Sequence, residues 1–279
     1  MWRRSKMSRS NTPRNHTFRD APLTRGVLEL EGEVVSDYLH VGSGIVDVVL
    51  TSDVGDLTDM IERILKGESL TSFASLNSMF SRPAHLLSRV GDRVVIPGST
   101  IKGMVRTRLE LSIPNACYIV DMQSRNYSQR YREIFKPDQR KRADRFPQVC
   151  PVCDLLGNTG LASRVEFSDF TLSGDWIDFV SSGSESYEVV KKGGKFSGRV
   201  TFKVKSPEEL GMILWGFGIR SGGNKVVLLG RFKFQDRRFG RVKFTVKSLK
   251  AQGGKTMTVQ DSLNSFVRAY SPRDFKEDW

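Results

Sequence analysis

The chain contains no apolar stretch approaching the roughly 18 residues that a membrane-spanning helix needs. Its basic beginning, MWRRSKMSRSNTPRNHTFR, is followed by no apolar run of the kind a secretory signal carries. A soluble, cytoplasmic protein with no membrane partner is therefore expected. Cysteine is scarce: Cys117, Cys150 and Cys153 are the only three, and two of them form a C-x-x-C. That odd number argues against a secreted disulfide framework and fits a reducing compartment. Histidine is as rare, and none of His16, His40 and His85 stands in a recognisable acid–base constellation. Acid is in deficit, with 31 Asp and Glu against 44 Lys and Arg, for a net charge of +13. A protein of this balance attracts polyanions, with an affinity that falls as salt rises. The 279 residues, 38% of them hydrophobic and 27% charged, suit a globular protein with a sizeable core.

Periodicity gives a coarse order of elements. Residues 1–23 read as a flexible basic arm, since the first nineteen hold six basic residues and no acid. From Gly26 to Val35, Leu28, Leu30 and Val34 alternate with Glu29, Glu31 and Glu33, which predicts a half-buried strand. Leu57, Met60, Ile61, Ile64 and Leu65 have helical spacing, ended by Gly67. Val94-Val95-Ile96 is a short strand broken by Pro97-Gly98, after which Ser99 or Thr100 is placed to cap a helix reaching about Leu111. Val200, Phe202 and Val204 alternate again, Ser206-Pro207-Glu208-Glu209 opens a helix, and Val242, Phe244 and Val246 mark a last strand. Stripped of insertions this is an α+β, ferredoxin-like (RRM-related) βαββαβ pattern over residues 24–250. The insertions fall at about 45–93, 112–160 and 173–194, the last a candidate thumb-like hairpin. Residues 251–279 show little periodicity and read as a peripheral tail.

Three segments carry chemistry. Ile96 to Gly103, IPGSTIKG, opens a helix with hydroxyls and a lysine at its N-terminal end, a suitable phosphate site or else an ordinary capped helix. Residues 225–247, KVVLLGRFKFQDRRFGRVKFTVK, hold eight basic residues and one acid, Asp236, interleaved with Phe232, Phe234 and Phe239. This suits a strand-loop-strand that holds a sugar-phosphate backbone, the alternative being a hairpin with buried phenylalanines. Cys150 and Cys153 offer half of a zinc site, with Cys117 a third ligand and His85 a weak fourth, the alternative being reduced structural thiols.

In order, these segments resemble a known family. A first strand is followed by the turn His40-Val41-Gly42-Ser43-Gly44, then Ile-Pro-Gly-Ser-Thr-Ile-Lys-Gly with Arg106 on its helix. Cys-Pro-Val-Cys-Asp-Leu-Leu-Gly comes next, then Ala162-Ser163-Arg164-Val165, and a basic loop from Leu229-Gly230 to Gly240-Arg241-Val242. The chain resembles the RAMP (repeat-associated mysterious protein) superfamily, and in particular the repeated backbone subunits of type III CRISPR interference complexes. The resemblance implies a ferredoxin-like core with a thumb, here Asp175 to Lys191, and assembly with other RAMP subunits, as a homo- or hetero-oligomer, along a CRISPR guide RNA that pairs with target RNA. It implies that Ser99, Thr100, Lys102 and Arg106 contact the guide backbone, with His40, Arg164, Arg231, Arg237 and Arg238 nearby.

The sequence departs from that pattern in two places. Cleaving subunits of the family carry a loop aspartate before the Pro-Gly-Ser helix, and the stretch near Phe80-Ser81-Arg82-Pro83 has none. Asp53, Asp56 and Asp59 are the remaining candidates for an endoribonuclease that would need a divalent metal. The family's closing Gly-Gly-x-Gly-Ser-Arg-Gly run is reduced to Gly230 and Gly240. RNA binding is therefore expected and cleavage left open, with a stand-alone, zinc-stabilised RNA-binding protein as the further alternative.

Overall fold

A computed structural model describes residues 12–13, 23–47, 54–67, 83–114, 116–117, 128–137, 148–182, 185–253 and 257–279. Strands β1 (Thr12–Pro13), β2 (Thr24–Val34), β3 (Tyr38–Leu39) and β4 (Gly42–Asp47) precede helix α1 (Val54–Leu65). Strands β5 (Ala84–Leu87), β6 (Arg89–Val90) and β7 (Arg93–Ile96) lead into α2 (Gly98–Ser112), α3 (Gln129–Phe135), β8 (Gln148–Val149) and α4 (Pro151–Leu156). Then come β9 (Val165–Phe167), β10 (Phe170–Ser173), β11 (Ile177–Ser182), β12 (Glu185–Lys191), β13 (Lys195–Val204), α5 (Pro207–Gly216), β14 (Val226–Leu228), β15 (Arg241–Gln252) and α6 (Val259–Tyr270).

The fold is α+β, built on an eight-stranded sheet in the order β14-β15-β2-β13-β10-β7-β6, with β9 also on β13. β2 is an interior strand, antiparallel to β13 from Thr24↔Val204 to Glu33↔Lys195, and to β15 on its other edge. The alternation read from sequence sorts the two faces. Leu28, Leu30, Val34, Val200, Phe202, Val204, Val242 and Phe244 are all buried on one. Across the other, Lys195 and Lys247 reach Glu31 at 3.7 and 3.0 Å, cross-strand pairs that hold its carboxyl below the usual range. Helices α2 and α5 cover the apolar face with Ile101, Val105 and Leu109 and with Leu210, Ile213, Leu214 and Phe217, all fully buried.

Residues 251–279 are not peripheral. Helix α6 docks on α5 through Leu263 and Phe266, and a side chain on Gly211 would meet the Ser262 carbonyl at 2.2 Å, so glycine there permits the close approach. Beyond α6 the chain returns along the domain and buries Phe275 and Glu277. The candidate thumb forms the hairpin β11–β12, paired from Ile177↔Val190 to Ser182↔Glu185. It does not stand alone: β12 runs parallel to β5 and antiparallel to β3, in a second sheet of order β11-β12-β5-β4 with β3 beside β12. The 45–93 insertion thus supplies strands to the thumb's sheet. Of the basic arm, Thr12 and Pro13 pair with Val149 and Gln148, and the rest, save Leu23, lies outside the described residues, as does most of 118–147.

Candidate nucleic-acid interface

Three sequence-predicted segments meet at one cleft of about 470 Å³, whose surface is mainly apolar: the His40 turn, the outer side of α2, and the loop from Leu229 to Gly240. His40 is buried at 1% exposure, its ring edge-on to Tyr187 at 5.3 Å. Its Nδ1 lies 2.7 Å from the Glu188 carbonyl of β12, which can only accept, so Nδ1 carries the proton and Nε2 is the acceptor. Burial lowers the pKa of this imidazole. The neighbouring Glu188 carboxylate is buried as well, accepting from Leu87 N–H at 2.8 Å and pairing with Arg89. The loop docks on the same turn: Gly230, at φ 81°, packs so closely that a side chain there would lie 2.4 Å from the His40 carbonyl, to which Arg231 N–H donates at 2.9 Å. His40 therefore forms a wall and a dock for the loop, where a surface contact was expected.

Helix α2 is capped differently from the sequence expectation. Neither Ser99 nor Thr100 caps it; Pro97 is the N-cap residue, and the Gly98 N–H donates to the Asp169 carboxylate at 2.8 Å. A carboxylate at a helix N-terminus satisfies an otherwise unpaired donor and complements the dipole. Ser99 is exposed and Thr100 lines the cleft with Gly103 and Thr107. Lys102 and Arg106 point instead into an adjacent polar notch of about 310 Å³ with residues of the 156–163 turn. There Arg106 donates to the Leu156 and Gly157 carbonyls at 3.0 and 2.6 Å and pairs with Glu110 at 3.3 Å, tying α2 to the C-terminal end of α4. Burial and the neighbouring Arg106 lower the pKa of Lys102.

In the closing loop Arg231 is exposed, its guanidinium 4.9 Å from the Tyr187 ring and 5.1 Å from Phe232. Arg238 is held by Asp236 at 2.7 Å, and Arg237 lies 5.9 Å from the Trp279 ring. Of the interleaved phenylalanines one is buried and two are half-buried. Phe239 is 1% exposed, Phe232 packs edge-on to Tyr187 at 4.9 Å, and Phe234 closes on Tyr131 at 5.3 Å.

Arg164 is placed in the interior. At 4% side-chain exposure it joins Asp154 at 2.9 Å and Glu209 at 2.5 Å, and donates further to the Asp154 and Lys203 carbonyls. All five of its N–H donors are thereby used, none of them on the surface. Its neighbouring carboxylates outweigh the burial, so its pKa is raised. It fastens α4 to the start of α5. Asp59 is exposed on α1; Asp56 falls in the first turn of the same helix, and Asp53 lies outside the described residues.

The cysteines converge. Cys117 Sγ lies 3.4 Å from Cys150 Sγ and 3.3 Å from Cys153 Sγ, all three buried, with Cys150 as the N-cap of α4. Hydrogen bonds from the other two thiols lower the pKa of Cys150, and the same sharing raises that of Cys153. Sulfurs around a tetrahedral zinc stand about 3.7 Å apart, so this trio offers three of four ligands at nearly the required spacing. Among the described residues no other group of three or more His, Cys, Asp or Glu is gathered this way, and no fourth ligand joins the trio. His85 is not that ligand: it stacks on Tyr187 at 4.6 Å and faces Glu185 at 3.3 Å in the second sheet.

Several residues here were missed in the sequence. Tyr131 and Phe135 wall the cleft from α3, and their four-residue spacing behind the Ser128 N-cap was a usable signal. Arg108 pairs with Glu277 beneath the cleft at 5% exposure for both, a partnership without local signal. Lys233, hydrogen-bonded to the Gly230 carbonyl at 2.8 Å, has its pKa lowered to about 8 by burial, with Arg108 close by.

Compared with known proteins, the chain matches the family model of the RAMP superfamily over residues 32–257. No curated protein matches it. Among the described residues no helix is long and apolar enough to cross a membrane.

Proposed function

From the premise that this chain belongs to the RAMP superfamily, whose members are CRISPR-associated RNA-binding proteins, we propose that it is a guide-RNA-holding subunit of a type III interference complex. The observation that carries this reading is the meeting of the His40 turn, α2 and the 229–240 loop at one cleft, with Arg231 and Lys233 at the loop and Lys102 in the notch beside it. Ser99, Thr100, Lys102, Arg231 and Arg237 are the contacts to the sugar-phosphate backbone. Arg106, His40 and Arg238 position the surfaces around them, and Arg164 is left out because its donors are spent inside. Supporting a ferredoxin-like core, β2, α2, β10, β13, α5 and β15 follow one another along the chain, and their strands lie in the order β15-β2-β13-β10. The hairpin β11–β12 is the thumb, other RAMP subunits are the protein partners, target RNA pairs with the held guide, and the cytoplasm is the setting. Zinc at Cys117, Cys150 and Cys153 is structural.

The test is binding of the purified protein to a CRISPR-repeat-derived RNA and to duplex DNA of equal length across a salt series. Preference for the RNA is expected, with a steep negative slope of affinity against salt. The Lys102→Gln, Arg231→Gln double variant should shallow that slope by about 1–2, roughly 0.7 per phosphate contact. Equal, weak binding to both nucleic acids would remove the reading for the isolated subunit.

A further inference from the structure

The backbone contacts above leave the cleft itself unexplained. A groove that held only phosphates would be polar, as the notch beside Lys102 is. The cleft is instead walled mainly by Met104, Tyr131, Phe135, Leu229 and Phe234; its polar and cationic side chains are Thr100, Thr107, Arg231 and Lys233, with His40 and Arg108 buried in its floor. Its volume of about 470 Å³ falls in the range, roughly 300–1,000 Å³, of sites that enclose a small planar ligand.

Gly103 supplies a second, independent observation. It sits in the interior of α2, where glycine weakens a helix. Neither backbone nor packing requires it: it is not among the glycines with positive φ, and a side chain added there meets no atom within 4 Å. The space above it is the cleft. Gly103 and Thr107 lie one turn apart facing that space, while Lys102 and Arg106 lie one turn apart over the notch. Adjacent positions on a helix are about 100° apart, so α2 presents an open apolar seat and a cationic seat side by side.

We propose that the cleft is a nucleobase subsite: one base of the bound RNA leaves its stack and enters over Gly103, between α2, α3 and the 229–240 loop, while the neighbouring phosphates stay on the cationic rim. This rests on the RNA-binding reading and adds the part of the RNA that the cleft takes. An apolar peptide side chain would fit the walls equally, but not a rim carrying Arg231 and Lys233 on a protein of net charge +13. Unstacked bases on aromatic and apolar side chains are the ordinary mode of single-stranded RNA recognition.

The experiment compares a short single-stranded RNA with an abasic ribose-phosphate chain of equal length, on the full-length protein and on its Gly103→Leu variant. The RNA is expected to bind the unaltered protein about tenfold more tightly than the abasic chain, as stacking of one base on aromatic walls gives. In Gly103→Leu that advantage should vanish, the leucine filling the seat in a helix it suits better than glycine, with no drop in melting temperature. Equal affinities for both chains overturn the base subsite and leave the backbone grip standing. A tenfold preference that survives in Gly103→Leu places base recognition elsewhere and also overturns it. Failure to bind either chain overturns both readings. Should the variant not fold, the comparison on the unaltered protein still decides whether a base is bound at all.

Discussion

Lys233 is a lysine kept close to losing its proton, with its pKa lowered to about 8 by burial beside Arg108. Phosphates arriving at the rim would draw that pKa back up, so binding takes up a proton, and affinity must fall as pH rises through about 8. Over roughly pH 7 to 9 the affinity for RNA should therefore decline, and the decline should flatten in Lys233→Met. A variant with the same pH profile as the parent would rule this out. The buried pair below it makes a different prediction. Arg108 donates to the Glu277 carboxylate and to the Leu228 carbonyl, while Leu228 N–H donates to Glu277 at 2.8 Å. Glu277→Ala leaves a buried guanidinium without its counter-charge and should cost about 3–5 kcal/mol in urea unfolding. A loss under about 1 kcal/mol would mean that water reaches Arg108. Residue identity alone did not disclose such roles. Arg164 and Arg231 look alike in sequence, yet one meets two interior carboxylates from positions 10 and 45 residues away and the other is exposed, its guanidinium against the Tyr187 ring.

At the scale of elements, what could be read was what is locally periodic. The alternation in β2, β13 and β15 and the apolar stripes of α2 and α5 reach the structure nearly unchanged, because each is decided within a dozen residues. The second sheet was not legible, since β4 and β5 are short, and β5, which carries β4 on one edge, takes β12 on the other from a hundred residues away. Helix α6 was missed although Leu263, Phe266 and Tyr270 recur at helical spacing behind the Thr258 cap. Phe266 is fully buried against Trp215, ring centres 5.5 Å apart, so Phe266→Ala should lower stability by about 3–5 kcal/mol. Unchanged thermal unfolding would return the helix to the periphery. Helix α4 depends on the cysteines at its start. Metal analysis of the purified protein is expected to find about one zinc per chain, with Cys153→Ser losing it and unfolding at lower temperature. Full stability of a metal-free, reduced protein would favour plain thiols instead.

For the molecule as a whole, the basic composition pointed to a polyanion partner, in keeping with the RNA binding of the family the chain belongs to. Some of its cations serve the interior instead: Arg89, Arg108 and Arg164 are spent on Asp154, Glu188, Glu209 and Glu277. The candidate interface was legible as three separate segments, but the cleft they enclose was not, because it exists only once the first strand region and the last third of the chain are side by side. That juxtaposition also sets a timetable. The interior strand β2 lies near the start of the chain, yet both its neighbours, β13 and β15, come from residues 195–252. During synthesis β2 must wait on the order of ten seconds or more for its first partner, its apolar face exposed meanwhile. Chains arrested before residue 195 should be cut readily by protease, and chains reaching past 252 should resist. The ribosome, or whatever shelters a nascent chain, is thus the first surface this sheet meets, well before any RNA.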